Sequence, residues 1–464
     1  MTQTTIVCAS AAVMLLAGCT PQRQTCCGSC CGGDTTVKLI TLDPGHFHAA
    51  LVQKRMYPGV ASKVHIYAPE GNDLKMHMDR INGFNTRADA PTKWESDVYT
   101  GPDFFEKMLK DKAGNVVILA GNNARKTDYI LKSVQAGYNV LADKPMAITP
   151  KDFELLKQAF AVAKEKGVLL YDIMTERYEI TTQLQRELSR FPKVYGEQEK
   201  GTPEDPAVTK ESVHHFCKLV AGKPLQRPPW YYDTTQQGEA IVDVNTHLTD
   251  LVQWETFPRV TLSPSDINVV QARVWTTPIT LEQFKTSTSQ TDWPDYLKKS
   301  LDAGGVLQCR ANGEFTYSIK GVFAKVSVLW NFQPPAGAGD THYSLMRGTR
   351  ASLIIEQGEA EGYKPVLYVE PRRNTGVKAE EIGKALAEAI STLNKTYPGV
   401  ACEKHETGWR INIPASYAVG HESHFGQVTE KYLGFLKNRD MPEWEVPNML
   451  VKYHTLMEAY KKSR

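Results

Sequence analysis

Val37-Lys-Leu-Ile-Thr-Leu42 running into Asp43-Pro44-Gly45-His46-Phe47-His48 decides the fold. A short β-rich run that ends in a glycine turn and passes into helix-forming residues is how a parallel strand hands over to a crossover helix. The alternation continues: Val64-His-Ile-Tyr67, Val116-Val-Ile-Leu119 and Val140-Leu141 read as strands, and Val168-Leu-Leu-Tyr171 closes the series. Between them, Arg125 to Ala136 is helical in texture and stops at Gly137. Thr149-Pro150-Lys-Asp152 starts another helix, with a threonine cap and proline in the first turn, and Gly167 ends it. A doubly wound, Rossmann-like α/β domain over 36–172 is expected.

Beyond residue 172 the texture changes. Pro224 to Pro229 is a proline-rich turn region, and Phe315 to Trp330 and Ser344 to Glu356 alternate apolar and polar residues as antiparallel strands do. Phe425 to Leu436 and Met449 to Tyr460 have helical period. Residues 173–464 are therefore expected to form an α+β domain with a large, mostly antiparallel open sheet, and 464 residues are too many for one ordinary core. The 54 basic and 52 acidic residues nearly cancel, which leaves no broad field to attract nucleic acid. A small molecule is the expected partner, and the exposed face of the second sheet is a candidate surface for homo-oligomers.

The N-terminal segment reads as targeting. Ile6 to Leu16 has the length of a signal-peptide core and is too short to span a bilayer. Leu16-Ala17-Gly18-Cys19 resembles a bacterial lipobox, with Cys19 as the lipid attachment site; an ordinary secretory signal cut nearby is the alternative. The expected arrangement is a signal peptide over 1–18, a tether over 19–35 carrying Cys26, Cys27, Cys30 and Cys31, and an exported lipoprotein anchored at a membrane and facing the periplasm or cell surface.

Three places carry chemistry. In the turn after the first strand, Gly45, His46 and Phe47 are candidates to receive a dinucleotide, since a residue without Cβ lets backbone amides approach a pyrophosphate. Only one glycine of a G-x-G-x-x-G pattern remains, and a turn that binds nothing is the alternative. Glu70 is the candidate for the adenosine ribose, with Asp73 equally placed. Ala120-Gly121-Asn122-Asn123 follows a later strand and offers uncharged amides to a ribose or nicotinamide, or simply caps a helix. Asp143-Lys144-Pro145 ends the strand after that, and its lysine is poised to stabilise an alkoxide. Far along the chain, Gly238-Glu-Ala-Ile-Val-Asp243-Val-Asn-Thr-His247 is expected to be helical, with Asp243, His247 and Asp250 on a polar face and Asp243 orienting the His247 imidazole. His421-Glu-Ser-His424 lacks zinc-protease spacing, so a pocket or capping role is expected there and no metal site.

Together these residues resemble the Gfo/Idh/MocA oxidoreductases. Lys144 matches the lysine of that family's E-K-P motif, with Asp143 replacing glutamate, and Gly238 to His247 matches its G-G-x-x-x-D-x-x-x-H motif. The resemblance implies Lys144, Asp243 and His247 as catalytic residues. It implies Gly45, His46, Phe47, Glu70, Asn122, Asn123, Asp143 and Pro145 as contacts of a nicotinamide cofactor, NAD or NADP, with tightly bound NAD favoured. Arg177, Asp250 and His424 are the candidates for substrate contacts. The form most resembles exported oxidoreductases of Bacteroidetes-type glycan degraders, which implies a sugar or glycoside oxidised at a secondary hydroxyl, C3 being the candidate carbon. Two other readings stand beside it: a redox-assisted glycosidase or lyase that regenerates its cofactor each cycle, and a sugar-binding lipoprotein without catalysis.

Overall fold

The computed structural model describes residues 36–220, 223–373 and 376–464. The signal, Cys19 and the cysteine-rich tether lie outside the described residues. The first sheet contains β1 (Leu39–Leu42), β2 (Lys63–Tyr67), β3 (Glu95–Tyr99), β4 (Val116–Leu119), β5 (Asn139–Asp143) and β6 (Leu170–Ile173), ordered β3-β2-β1-β4-β5-β6. All its pairings are parallel. Strand order reverses between β1 and β4, so the crevice of this doubly wound sheet opens beyond their carboxyl ends. β1, β4 and β6 are buried along their whole length, as strands covered on both faces must be. The helix Pro150–Lys166 starts in a Thr149–Asp152 capping box and ends at Gly167, whose φ of 65° suits a residue without Cβ.

The second sheet has nine strands. In spatial order they are Ile267–Ile279, Leu307–Ile319, Val322–Asn331, Val208–His215, Thr341–Arg347, Ala351–Glu356, Val366–Pro371, Trp409–Asn412 and Ala401–Lys404. Only Val322–Asn331 and Val208–His215 pair in parallel. The extra length around Lys378 to Pro414 becomes a helix, Ala379–Leu393, and a hairpin that extends one edge of this sheet. Residues from both sheets share one hydrophobic core. Among the described residues, no helix is long and apolar enough to cross a membrane.

The segment around His247 departs from the expected amphipathic helix. Regular helix begins at Asn245 and runs to Thr256, and Gly238 to Val244 forms turns ahead of it. Gly238 has a φ of 96°, and a Cβ there would stand 2.9 Å from Ile148 Cγ2, so both backbone and packing require glycine. The helix lies between the second sheet and the helix Glu445–Lys462, which buries both its faces and leaves no solvated polar side. Its charges are compensated inside the protein. Glu255 pairs at 2.7 Å with Lys210, whose ammonium also reaches Ser344 and Gln185.

Candidate active site

β5 delivers Lys144 to the carboxyl edge of the first sheet, where the Lys144–Pro145 peptide is cis. Its ammonium donates to Asp243 Oδ1 at 2.8 Å, and the two side chains are only 10% and 6% exposed. This contact spans 99 residues of sequence and joins the two halves at one point. Asp243 therefore holds the lysine and not, as expected, the imidazole. His247 follows within a turn, with its Nδ1 buried and without a protein partner. Burial, then the nearby charges of Lys144, His421 and His48, hold the His247 pKa well below 6.5. The imidazole is thus neutral at pH 7 and open to accept a proton.

Other titratable groups face the same place. Glu176 lies just past β6, and enclosure by protein, reinforced by Glu179, raises its carboxyl to about 7 against the pull of Lys144 and Lys218. Its side chain nevertheless remains 35% accessible, and that of its neighbour His421 42% accessible. Enclosed yet wetted groups line a cleft, not a packed core. His421 sits 3.9 Å from Glu176 and its ring centroid lies 5.4 Å from that of His48. Lys218 enters beside them, tied to Asp340, which also bonds His214 at 3.0 Å and His215 at 3.1 Å. Glu176 and His48 escaped the sequence reading. Glu176 adjoins Arg177, a candidate substrate contact, and His48 stands where the dinucleotide pattern has glycine.

Two of the three expected substrate contacts are placed elsewhere. Asp250 accepts from Arg177 Nε at 2.6 Å, Arg177 Nη2 at 2.8 Å and Lys452 Nζ at 3.1 Å, so both its oxygens are committed to a buried ion network. Arg177 also donates to Glu445 and lies beside Trp254 and Trp444, on the wall of a cavity of about 300 Å³ to which Lys144, Asp243 and His247 contribute nothing. These two residues brace the scaffold behind the cleft. His424 is buried one turn after His421, and burial lowers its pKa to about 4.

The turn at Gly45 is filled. The amides of Gly45 and His46, expected to cradle a pyrophosphate, both point to the carbonyl of Ala120, at 3.3 and 3.2 Å. A Cβ on Gly45 would meet the Asp73 carboxylate at 2.9 Å and Trp230 Cζ2 at 3.1 Å, so protein atoms occupy the space that this glycine keeps clear. Trp230 Nε1 donates to Asp73 Oδ2 at 2.7 Å and locks that plug. Asn122 Nδ2 donates to Gln236 and Asn123 Nδ2 to the carbonyl of Gln237, which closes the next turn from the same segment. The cavity left at Gly45, His46, Phe47 and Tyr231 measures about 10 Å³, enough for about one water molecule. Glu70 is exposed, and Asp143 faces the two histidines of the turn.

A nucleotide-type sheet, a second antiparallel sheet and a lysine–carboxylate pair with a neutral histidine nearby define an oxidoreductase. Comparison with known proteins narrows this. Residues 184–464 match the family described as "Putative oxidoreductase C terminal domain", and 75–172 match "Oxidoreductase family, NAD-binding Rossmann fold". The chain is 55% identical to a "putative oxidoreductase" from Parabacteroides merdae ATCC 43184, over 92% of this chain and 98% of that one, with a TM-score of 0.90. The chain belongs to the Gfo/Idh/MocA oxidoreductase family. A 3-ketoreductase from Actinomadura kijaniata solved with NADP and TDP-benzene shares the fold at 13% identity, covering 91% of this chain and 96% of that one, with a TM-score of 0.53. GenD2 from gentamicin A biosynthesis, solved with NAD, does so at 16% identity over 93% and 95%, also with a TM-score of 0.53. No curated protein matches the chain.

Family and fold support a nicotinamide cofactor, without separating NAD from NADP. The residues at Gly45 do not fit one in this conformation. A dinucleotide's pyrophosphate brings negative charge to a place already held by the Asp73 carboxylate, whose pKa is raised by burial and further by Asp43, and its nearest amides already have an acceptor.

Proposed function

We propose that the protein acts on a sugar or glycoside at a carbon bearing a secondary hydroxyl or ketone, with C3 the candidate position. The observation that carries this reading is the convergence of Lys144, Asp243 and His247 on one cleft. The hydroxyl proton passes to the His247 imidazole, and the Lys144 ammonium stabilises the alkoxide as charge develops. Asp243 keeps the ammonium in position and balances its charge before substrate arrives. A neutral polyol ring suits a cleft in which cations and carboxylates alternate and no single sign dominates. The 3-ketoreductase solved with NADP and GenD2 solved with NAD share this fold, which supports hydroxyl–ketone chemistry with a nicotinamide oxidant. NAD is favoured. Incubation of full-length protein with nitrophenyl glycosides and NAD or NADP, followed at 340 nm and by mass spectrometry, tests the reading. A product two mass units lighter is expected; no such product across gluco-, galacto- and manno-configured glycosides would refute it.

Glu176 favours a second reading. Oxidation of a hydroxyl needs one base, whereas elimination from a keto glycoside needs a base for the C–H proton and an acid for the departing aglycone oxygen. His247 and a carboxyl raised to about 7 supply such a pair. Nitrophenol release from a 3-keto glycoside, with no loss of mass from the sugar beyond elimination, distinguishes it. The exported lipoprotein reading also rests on sequence: Cys19 is the lipid attachment site, and labelling by palmitate that disappears in Cys19→Ala is the expected result.

A further inference from the structure

The closed turn at Gly45 places two imidazoles and a carboxylate together. His48 Nδ1 lies 2.9 Å and His46 Nδ1 3.9 Å from Asp143 Oδ2, and one ligand atom from each residue falls within 4.8 Å of the others. Ligand atoms bound to one ion at about 2.0–2.2 Å stand about 3.0–3.5 Å apart, so small side-chain rotations would bring these three onto a common centre. His48 and Asp143 are buried, and the His46 side chain is 14% exposed. Burial, followed for each by neighbouring positive charge, holds both histidines neutral, the form that offers a lone pair. His46 Nδ1 accepts only the His48 amide, at 3.4 Å. The histidines occupy the fourth and sixth places of the dinucleotide pattern, and Asp143 precedes the catalytic lysine. On its open side the cluster faces His421 and, within range of mutual charge, Lys144.

We propose that His46, His48 and Asp143 form a binding site for a first-row divalent cation such as Zn²⁺ or Fe²⁺. Two imidazoles and one carboxylate on one side leave coordination positions for water, His421 or a substrate oxygen on the other. A cation there would polarise a substrate carbonyl or hydroxyl beside Lys144 and His247. The site explains why this turn carries histidines while its pyrophosphate amides are committed elsewhere. It stands on the cluster's geometry and holds whichever sugar reaction the cleft performs.

The test is Co²⁺ binding by the full chain after chelator treatment, in a background of Cys26→Ser, Cys27→Ser, Cys30→Ser and Cys31→Ser so that the clustered thiols of the tether cannot contribute. One Co²⁺ per chain is expected, with visible d–d absorption and pulsed electron-spin signals from two imidazole nitrogens. His48→Ala and Asp143→Asn should each weaken binding by about thirtyfold or more. The electron-spin measurement on the parent chain decides the matter if a substituted chain fails to fold. Absence of bound Co²⁺, a signal without imidazole nitrogen, or full affinity in folded Asp143→Asn would overturn the site.

Discussion

Two turns at the carboxyl edge of the same sheet have met different fates. The turn after β5 keeps its equipment: Lys144 is paired with Asp243, and His247 waits neutral beside them. The turn after β1 keeps its backbone path, yet Asp73 and Trp230 occupy the space beside Gly45 that a pyrophosphate would need, and two histidines of the turn face Asp143. The difference teaches that substrate chemistry and cofactor seat are separable in this scaffold. The first depends on a lysine, a carboxylate and an imidazole brought together; the second depends on empty space and free amides.

The largest effects are expected at the turn after β5. Lys144→Met should lower kcat/KM by about 10³-fold or more, since it removes the group that meets the developing alkoxide. His247→Asn should lower it by about 10²–10⁴-fold with the fold intact. Steady-state kinetics beside thermal melts check both, and near-normal turnover in either would remove that residue from the chemistry. Behind the cleft, Asp250→Asn should cost about 3–5 kcal/mol of stability, because Arg177 and Lys452 lose a shared buried carboxylate. Denaturant melts measure this. A raised KM with unchanged stability would return Asp250 to the substrate.

At the second turn the effects are smaller. Trp230→Leu with Asp73→Asn should tighten dinucleotide binding by about tenfold, or about 1.4 kcal/mol, by removing the indole bulk and the negative charge beside Gly45. Calorimetric titration showing no gain would mean that closure at Gly45 is not what limits binding. The smallest effect is on pH dependence. The kcat/KM profile should carry a limb near pH 7 that Glu176→Gln abolishes. Stability gives the sign independently: with the carboxyl raised to about 7 from 4.5, the unfolded chain releases this proton first. The parent therefore loses stability as pH rises between those values, and the glutamine variant escapes that part of the loss.

Much of this was legible in the chain. β1, β2, β4, β5 and β6 announce themselves as apolar runs, and Thr149 and Gly167 mark helix ends because capping is a local matter. β3 was not legible, since Glu-Ser-Asp-Val-Tyr is a largely exposed edge strand with no apolar period. Lys144, Asp243 and His247 could be named from two short motifs. Their pairing could not: the carboxylate was free to meet either neighbour, and the buried position of the lysine decided it. The plug at Gly45 joins residues 157 apart, Asp73 and Trp230, and no local pattern encodes a contact of that range. Asp250 reads as part of a polar helix face, but its partners Arg177 and Lys452 lie 73 and 202 residues away, and no local pattern announces them.

In the proposed reaction Lys144 and His247 serve one substrate oxygen. A double-mutant cycle on kcat/KM tests this most directly, using Lys144→Met, His247→Asn and the combined variant. Two groups acting on a single step give a double variant about as slow as the slower single one. Losses that multiply in full would show that the two residues act independently, and the shared cleft would not be the seat of catalysis.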